Sequence, residues 1–160
     1  SMSRGLGDVY KRQFKVSSIT EVHARYIREG RIKLDKTKLD GAVTYHDPCQ
    51  IARNAGVMDE PRYILKHLTD DFRELTDDPR YNWCCGGGGG LVAMGEDTLD
   101  FRMKSASVKV DQVNATGARI LATACENCHA QLDNLNEHYD MGVEVKFLSS
   151  MIADALIQNV

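Results

Sequence analysis

Apolar segments that run into cysteines are the feature that most limits how this chain can fold. Residues 42–45 have the β-branched and aromatic pattern of a buried strand, and they lead through His46 to Cys49. Residues 119–124 are a second such segment, and they lead directly to Cys125. Helical patterns separate these strand patterns along the chain, which is typical of a sheet with parallel strands. The sequence therefore predicts a single α/β domain, with a mostly parallel sheet flanked by helices in Rossmann-like layers.

Helical patterns account for much of the remaining chain. The first begins near residue 19, the second covers 50–55 and the third begins at residue 60. The fourth covers 96–116, the fifth follows Cys125 and the last covers 151–157. The pattern over 96–116 is the longest, and its apolar stripe consists of Leu99, Met103, Ala106, Val110 and Val113. Two further strands are predicted at 72–75 and 143–147. Because open α/β sheets bind ligands at the carboxyl ends of their strands, the cysteine segments are expected to meet at one edge of the sheet.

Composition excludes several classes of protein. The chain is 42% apolar and 27% charged, which is ordinary for a folded domain and argues against a disordered chain. Its net charge of −3 creates no positive field for nucleic acid, and no apolar run is long enough to span a membrane. The first residues show no signal-peptide pattern, so a reducing, cytoplasmic compartment is expected. Residues 1–13 have little hydrophobic pattern and are expected to be a non-native leader before a domain at 14–160.

The five cysteines indicate metal binding or catalysis. An odd number is a poor basis for a disulfide framework, and a reducing compartment keeps thiols free. Cys-x-x-Cys at a helix start places two sulfurs one turn apart, where the helix N-terminus stabilises thiolates. Adjacent cysteines rarely both bind one tetrahedral ion, but they suit a cluster of several irons, and the glycines at 86–90 provide N–H groups for sulfur. A thioredoxin-like dithiol and a zinc site remain alternatives.

The pattern Cys-x34-Cys-Cys-Gly-x38-Cys-x-x-Cys resembles the cysteine-rich CCG domain. Its flanking residues look most like the C-terminal domain of the D-type heterodisulfide reductase subunit and its relatives in sulfite-reductase-associated membrane complexes. This resemblance implies a noncubane [4Fe-4S] cluster, at which a disulfide or trisulfide is reduced in one-electron steps. It implies as ligands Cys49, Cys84, Cys85, Cys125 and Cys128, with Gly86 and Gly87 beside them.

The resemblance also implies partners. D-type subunits carry ferredoxin-like Cys-x-x-Cys-x-x-Cys motifs, which this sequence lacks. We therefore expect a fragment of a larger electron-transfer subunit, whose heterodisulfide reductase-like activity needs a ferredoxin-like iron–sulfur domain and membrane electron-transfer subunits. The substrate would be a disulfide-bearing small molecule or protein. The domain would be cytoplasmic, associated with the membrane through its partners, and without its cluster when produced alone.

Other functions and one further residue remain open at this point. The domain is alternatively an electron-relay or docking module of a quinone-linked complex, or a structural domain in which four of the thiols hold zinc. His46 lies three residues before Cys49 and is the candidate catalytic residue. On the premise of an ordinary imidazole pKa near 6.5, it would donate a proton to the leaving thiolate. A purely structural hydrogen bond is the alternative role.

Overall fold

A computed structural model describes residues 16–76 and 79–157 of the chain. The leader expected at residues 1–13 lies outside the described residues. So do both ends of the domain expected at 14–160, and residues 77 and 78 of a loop predicted from Asp77, Asp78 and Pro79. The boundaries of the domain therefore stay predictions.

A four-stranded parallel sheet organises the fold. Its strands are β1 (Val43–His46), β2 (Phe72–Arg73), β3 (Ile120–Thr123) and β4 (Glu144–Phe147). Their spatial order is β2-β1-β3-β4, and every neighbouring pair runs parallel. The predicted α/β class with a parallel sheet is confirmed. In the central pair His46 lies opposite Thr123, so β1 and β3 end side by side.

Helices cover both faces of this sheet. One face packs against α1 (Ile19–Arg28), α2 (Asp59–Leu68) and α6 (Leu148–Asp154). The other packs against α3 (Leu99–Ser105), α4 (Ser107–Thr116) and α5 (Glu126–Tyr139). Shorter helical segments are a π-helix, Gln50–Asn54, and 3₁₀ turns at Lys36–Lys38, Pro79–Tyr81 and Val92–Thr98. Within the described residues, no helix combines the length and apolar character needed to cross a bilayer.

The first helix begins where the sequence predicts. The Ser18 hydroxyl accepts a hydrogen bond from the Glu21 amide at 3.2 Å, and the Glu21 carboxylate accepts one from the Ser18 amide at 2.7 Å. This reciprocal capping box satisfies two N–H groups that have no partner within the helix. Serine at the cap and glutamate three residues later therefore determine this boundary locally.

The helix predicted over 96–116 is not continuous, which corrects the sequence-based prediction. Ala106 has non-helical dihedrals (φ −100°, ψ 7°) and separates α3 from α4, and a 3₁₀ turn occupies Val92–Thr98. Ala106 is fully buried, and a Cβ built on Gly86 would lie 3.0 Å from its methyl group. The break thus accompanies close packing of the glycine segment against the helix pair. The apolar stripe nevertheless packs into or against the core as predicted.

Two other boundaries also differ from prediction. The second strand has only two residues, Phe72–Arg73, where four were expected. The last helix begins at Leu148, with Phe147 as its N-cap and no side-chain cap, because β4 continues directly into it. The serines expected to cap this helix, Ser149 and Ser150, lie inside its first turn.

Candidate metal centre

Two strand ends and two helix starts position three of the cysteines. Cys49 follows β1 and caps the π-helix Gln50–Asn54. Cys125 follows β3 and is the N-cap of α5, and Cys128 lies in the first turn of that helix. Because β1 and β3 end in register, these segments emerge at one edge of the sheet. The partial positive charge at the N-terminus of the 14-residue α5 favours a bound group of negative charge there.

All five cysteines line a single pocket of about 190 Å³. A single water needs roughly 10–15 Å³ by the same kind of measure, so the pocket has room for a group of several atoms. The convergence predicted from three separate segments is observed. The pocket residues are Cys49, Gln50, Cys84, Cys85, Gly88, Gly89, Cys125, Asn127 and Cys128.

The pocket has a buried floor and an accessible rim. Cys85 and Cys128 are buried, and their sulfurs are 3.4 Å apart. His46 joins them, since one ligand atom from each of the three residues lies within 4.8 Å of the other two. Cys49 and Cys125 are half-buried, whereas Cys84 is exposed. The buried residues would therefore hold a bound group, and a substrate would reach it past the more exposed cysteines.

The first two glycines after Cys85 contribute backbone donors and close contact. The Gly86 amide donates to Cys84 Sγ at 3.4 Å, and the Gly87 amide donates to Cys85 Sγ at 3.5 Å. A Cβ on Gly87 would lie 2.7 Å from Gln131 Cβ and from Val92 Cγ2, closer than carbon atoms approach without displacement. Gly86 has φ +85°, which side-chain-bearing residues rarely adopt. Glycine at both positions is thus required by packing or by backbone conformation.

The thiols are crowded in a way that suits a metal group. Hydrogen bonding to Cys128 is the largest cause that raises the pKa of Cys85, to about 12, and burial adds to it. Hydrogen bonding to Cys85, followed by burial, raises the pKa of Cys84 as well. Neighbouring thiolates repel each other unless a cation lies between them. The donor set of thiols, with amide N–H groups directed at sulfur, therefore fits an iron–sulfur cluster or another thiolate-bound metal.

His46 is buried beside the cysteines rather than directed into solvent. Its exposed fraction is 1%, and neither ring nitrogen has a hydrogen-bond partner in the part of the chain that the structure describes. Burial, followed by the positive charge of Lys109, holds the pKa of His46 well below its ordinary value of 6.5. The premise of an ordinary pKa is therefore wrong, because it ignored the loss of hydration. The catalytic role of His46 itself stays a prediction.

Behind the cysteines lies a polar network that sequence reasoning did not identify. Arg62 donates to both oxygens of Asp47, each at 2.8 Å, and Asn82 donates to Asp47 Oδ2 at 3.0 Å. Asn82 Oδ1 in turn accepts from Lys109, which is fully buried. A signal was available, because Lys109 lies three residues after Ala106 and therefore on the apolar stripe of the predicted helix.

A larger cleft of about 390 Å³ lies elsewhere, between α1 and α6. It is mainly apolar, with Val22, Tyr26 and Ile152 among its walls, and no cysteine lines it within the described part of the chain. Volume alone would favour this cleft. The concentration of metal-binding side chains instead identifies the smaller cysteine pocket as the candidate site.

Comparison with known proteins places this pocket in context. The family described as CCG, cysteine-rich domain, matches residues 43–133, which include all five cysteines. The D-type subunit of the dihydromethanophenazine:CoB–CoM heterodisulfide reductase from Methanosarcina acetivorans is 35% identical over 144 residues, covering 89% of this chain and 34% of that protein. No solved structure shows significant similarity to the chain.

Two further relatives carry names from quinone chemistry. The Hdr-like menaquinol oxidoreductase iron-sulfur subunit 2 of Archaeoglobus fulgidus is 33% identical over 150 residues, covering 88% of this chain and 26% of that protein. The EtfAB:quinone oxidoreductase of Syntrophomonas wolfei is 30% identical over 120 residues, covering 72% of this chain and 16% of that protein. The chain thus spans about a third or less of the length of these relatives.

Proposed function

The chain belongs to the family of CCG cysteine-rich domains, and from that premise we propose that it is the catalytic-site domain of an iron–sulfur oxidoreductase. It would hold a noncubane [4Fe-4S] cluster through Cys49, Cys84, Cys85, Cys125 and Cys128. The cluster would supply the electrons that reduce a disulfide or trisulfide, one at a time. The observation that carries this proposal is the lining of one pocket by all five cysteines.

The reaction sets requirements that the pocket meets in part. A disulfide becomes two thiols when its S–S bond breaks with the uptake of two electrons and two protons. The substrate must approach from an accessible side, which the exposed Cys84 and half-buried Cys49 and Cys125 provide. Glycine amides that donate to Cys84 and Cys85 would stabilise negative charge on sulfur. We propose that a ferredoxin-like iron–sulfur domain delivers these electrons to the cluster.

We assign His46, which lies with Cys85 and Cys128 at the buried floor of the pocket rather than on the substrate side that its position before Cys49 suggested, to a proton relay toward the bound group. A neutral imidazole donates from one nitrogen and accepts at the other, and neither nitrogen of His46 has a partner among the described residues. In the complete complex, His46→Gln should retain the cluster and slow disulfide reduction by roughly 10²-fold, the usual scale for losing a general acid. Steady-state rates and iron content of the same preparations test this. A variant with the wild-type rate would remove His46 from the reaction.

The partners proposed are a ferredoxin-like iron–sulfur domain and membrane electron-transfer subunits. Support comes from the relatives, whose names include a menaquinol oxidoreductase subunit and a quinone oxidoreductase. The substrate would be a small molecule or a protein that carries the disulfide. On this proposal the domain acts in the cytoplasm and is associated with the membrane through its partner subunits.

Anaerobic reconstitution with iron and sulfide tests the cofactor. We expect about four irons per chain and an iron–sulfur absorption spectrum. Oxidation in the presence of a disulfide substrate should then produce a paramagnetic signal that depends on the substrate. If the paramagnetic signal of the cluster is the same with and without every disulfide tested, the result would instead support the alternative of an electron-relay or docking module in a quinone-linked complex.

One observation favours a second candidate, a structural zinc site. His46, Cys85 and Cys128 are buried and close enough to share a single ion, and a further cysteine of the pocket would complete four ligands. Metal analysis of protein purified from cells distinguishes the two. One zinc per chain, together with no uptake of iron and sulfide, would establish the zinc-binding domain and exclude the cluster.

A further inference from the structure

Lys109 is a buried lysine whose ammonium group contacts no carboxylate among the described residues. Its side chain is fully buried, and its ammonium group donates to Asn82 Oδ1 and, at 2.7 Å, to Gln112 Oε1. Both acceptors are neutral amides. Among the described residues the carboxylate that acts on Lys109 is Asp47, and both of its oxygens already accept from Arg62. Burying a charge without a counterion is costly, so an ammonium kept in this position calls for a negative partner.

The amides that hold Lys109 also place it directly behind the adjacent cysteines. Asn82 precedes Cys84 by two residues, and Gln112 Oε1 accepts a second hydrogen bond from the Trp83 amide at 3.2 Å. The ammonium therefore lies against the segment that leads into Cys84. Its charge also acts on Cys84, Cys85 and His46, which line or contact the pocket.

We propose that Lys109 is the buried countercharge of the metal–thiolate group, held by Asn82 and Gln112 so that it raises the reduction potential of that group. The inference rests on the proposed function, because it needs a redox-active cluster in the cysteine pocket. Each added electron makes a thiolate-bound cluster more negative. A fixed positive charge nearby stabilises the reduced form more than the oxidised form, and burial limits the screening of that effect by water.

The decisive measurement is the midpoint potential of the reconstituted cluster, followed by electron paramagnetic resonance. Lys109→Met removes the charge and should make one-electron reduction at least tenfold less favourable, a shift of about 59 mV or more to lower potential. Lys104→Met is the matched control, since Lys104 is an exposed lysine on the adjacent α3 and should leave the potential unchanged.

A second variant protects the test against a failure of Lys109→Met to fold or to load iron. Gln112→Glu keeps the oxygen that accepts from Lys109 and Trp83 but adds a carboxylate that neutralises the ammonium in place. Like Lys109→Met, it should lower the reduction potential of the cluster. Asn114→Asp, an exposed position on the same helix, is its matched control for an added negative charge.

The outcomes separate the two levels of the proposal. Failure of the wild-type protein to assemble an iron–sulfur group would overturn the proposed function itself. An assembled cluster whose potential is the same in wild type and Gln112→Glu would overturn the role of Lys109 alone. A lower potential in Gln112→Glu, with Asn114→Asp unchanged, would support Lys109 as the countercharge, and a cluster-loaded Lys109→Met variant with the wild-type potential would overturn that role.

Discussion

The face of the sheet under α1, α2 and α6 and the face under α3, α4 and α5 bury different chemistry. Strand residues that alternate toward the first face include Val43, Ile120 and Ala122, which join an extensive apolar cluster. The second face receives Thr44, His46 and Thr123 from the same strands. It also buries two cysteines, and its helices bury the charged side chains of Arg102 and Lys109.

This difference assigns separate tasks to the two faces. Apolar burial stabilises the fold on the first face, at roughly 25 cal/mol per Å² removed from water. The second face accepts buried polar groups whose hydration is lost, and several of their atoms have no partner, including both nitrogens of His46 and Nε2 of Gln131. Buried polar groups without partners are costly, and within the described residues all such side-chain atoms except the Tyr45 hydroxyl belong to the second face. Their concentration on that face indicates a binding site.

The largest effect is expected from removing a pocket cysteine, because the second face should then lose its bound cluster. Cys85→Ser and Cys125→Ser should each abolish cluster assembly, because a hydroxyl is a poor replacement for thiolate on iron. Iron content and visible absorption after anaerobic reconstitution measure this. Full iron content in both variants would contradict the assignment of these residues as ligands.

A cavity made in the first face should lower the stability of the fold but leave metal binding unchanged. Leu65 is fully buried in the apolar cluster, and Leu65→Ala should lower the free energy of unfolding by about 2–5 kcal/mol. Iron bound per folded chain should stay at the wild-type value, since the cysteine pocket lies across the sheet. Chemical denaturation and metal analysis test both halves, and a parallel loss of iron would show that the faces are not independent.

Two adjacent glycines, Gly87 and Gly88, allow a matched pair of alanine substitutions whose effects on stability can be compared. Gly87→Ala places a methyl group 2.7 Å from Gln131 Cβ and Val92 Cγ2, and should cost about 1–3 kcal/mol of stability in the metal-free protein. A Cβ on Gly88 meets no atom of the described residues within 4 Å, so Gly88→Ala should be neutral or stabilise slightly. Equal unfolding midpoints for both variants would show that the close packing around Gly87 has no energetic consequence.

The smallest effect expected is a pH dependence of metal-free stability. Burial lowers the pKa of Lys109 from 10.5 to about 7, against the raising influence of Asp47, Cys85 and Cys84. Between pH 7 and 8.5 the unfolded chain therefore binds more protons than the folded chain, and stability rises with pH by about 1–2 kcal/mol. Below pH 7 this contribution levels off, because both states are then protonated.

Denaturation series across that pH range give the measurement. The slope should be absent in Lys109→Met and retained in the Lys104→Met control. Arg53 also contributes positive charge at Lys109, so its presence in both series keeps the comparison matched. An unchanged slope in Lys109→Met would assign the titration to another group.

Local sequence signals correctly predicted elements whose ends are marked by particular residues, such as a capping serine or a cysteine after a strand. Ser18 and Glu21 form a capping box at the predicted start of the first helix, and the strand patterns before Cys49 and Cys125 gave strands of the parallel sheet. The break at Ala106 had no such signal, since alanine is a strong helix former. That break accompanies close packing against the glycine segment, which is distant in sequence.

The order and spacing of the cysteines by themselves indicated the CCG family. The alternation of strand and helix patterns predicted a parallel sheet with the thiols at one edge. Parallel strands have this consequence wherever their carboxyl ends carry ligands. Only the tertiary structure decided the electrostatic setting of the pocket. The low pKa of His46 and the isolated charge of Lys109 depend on burial by other elements. Desolvation is a property of three-dimensional surroundings, and no spacing along a chain specifies it.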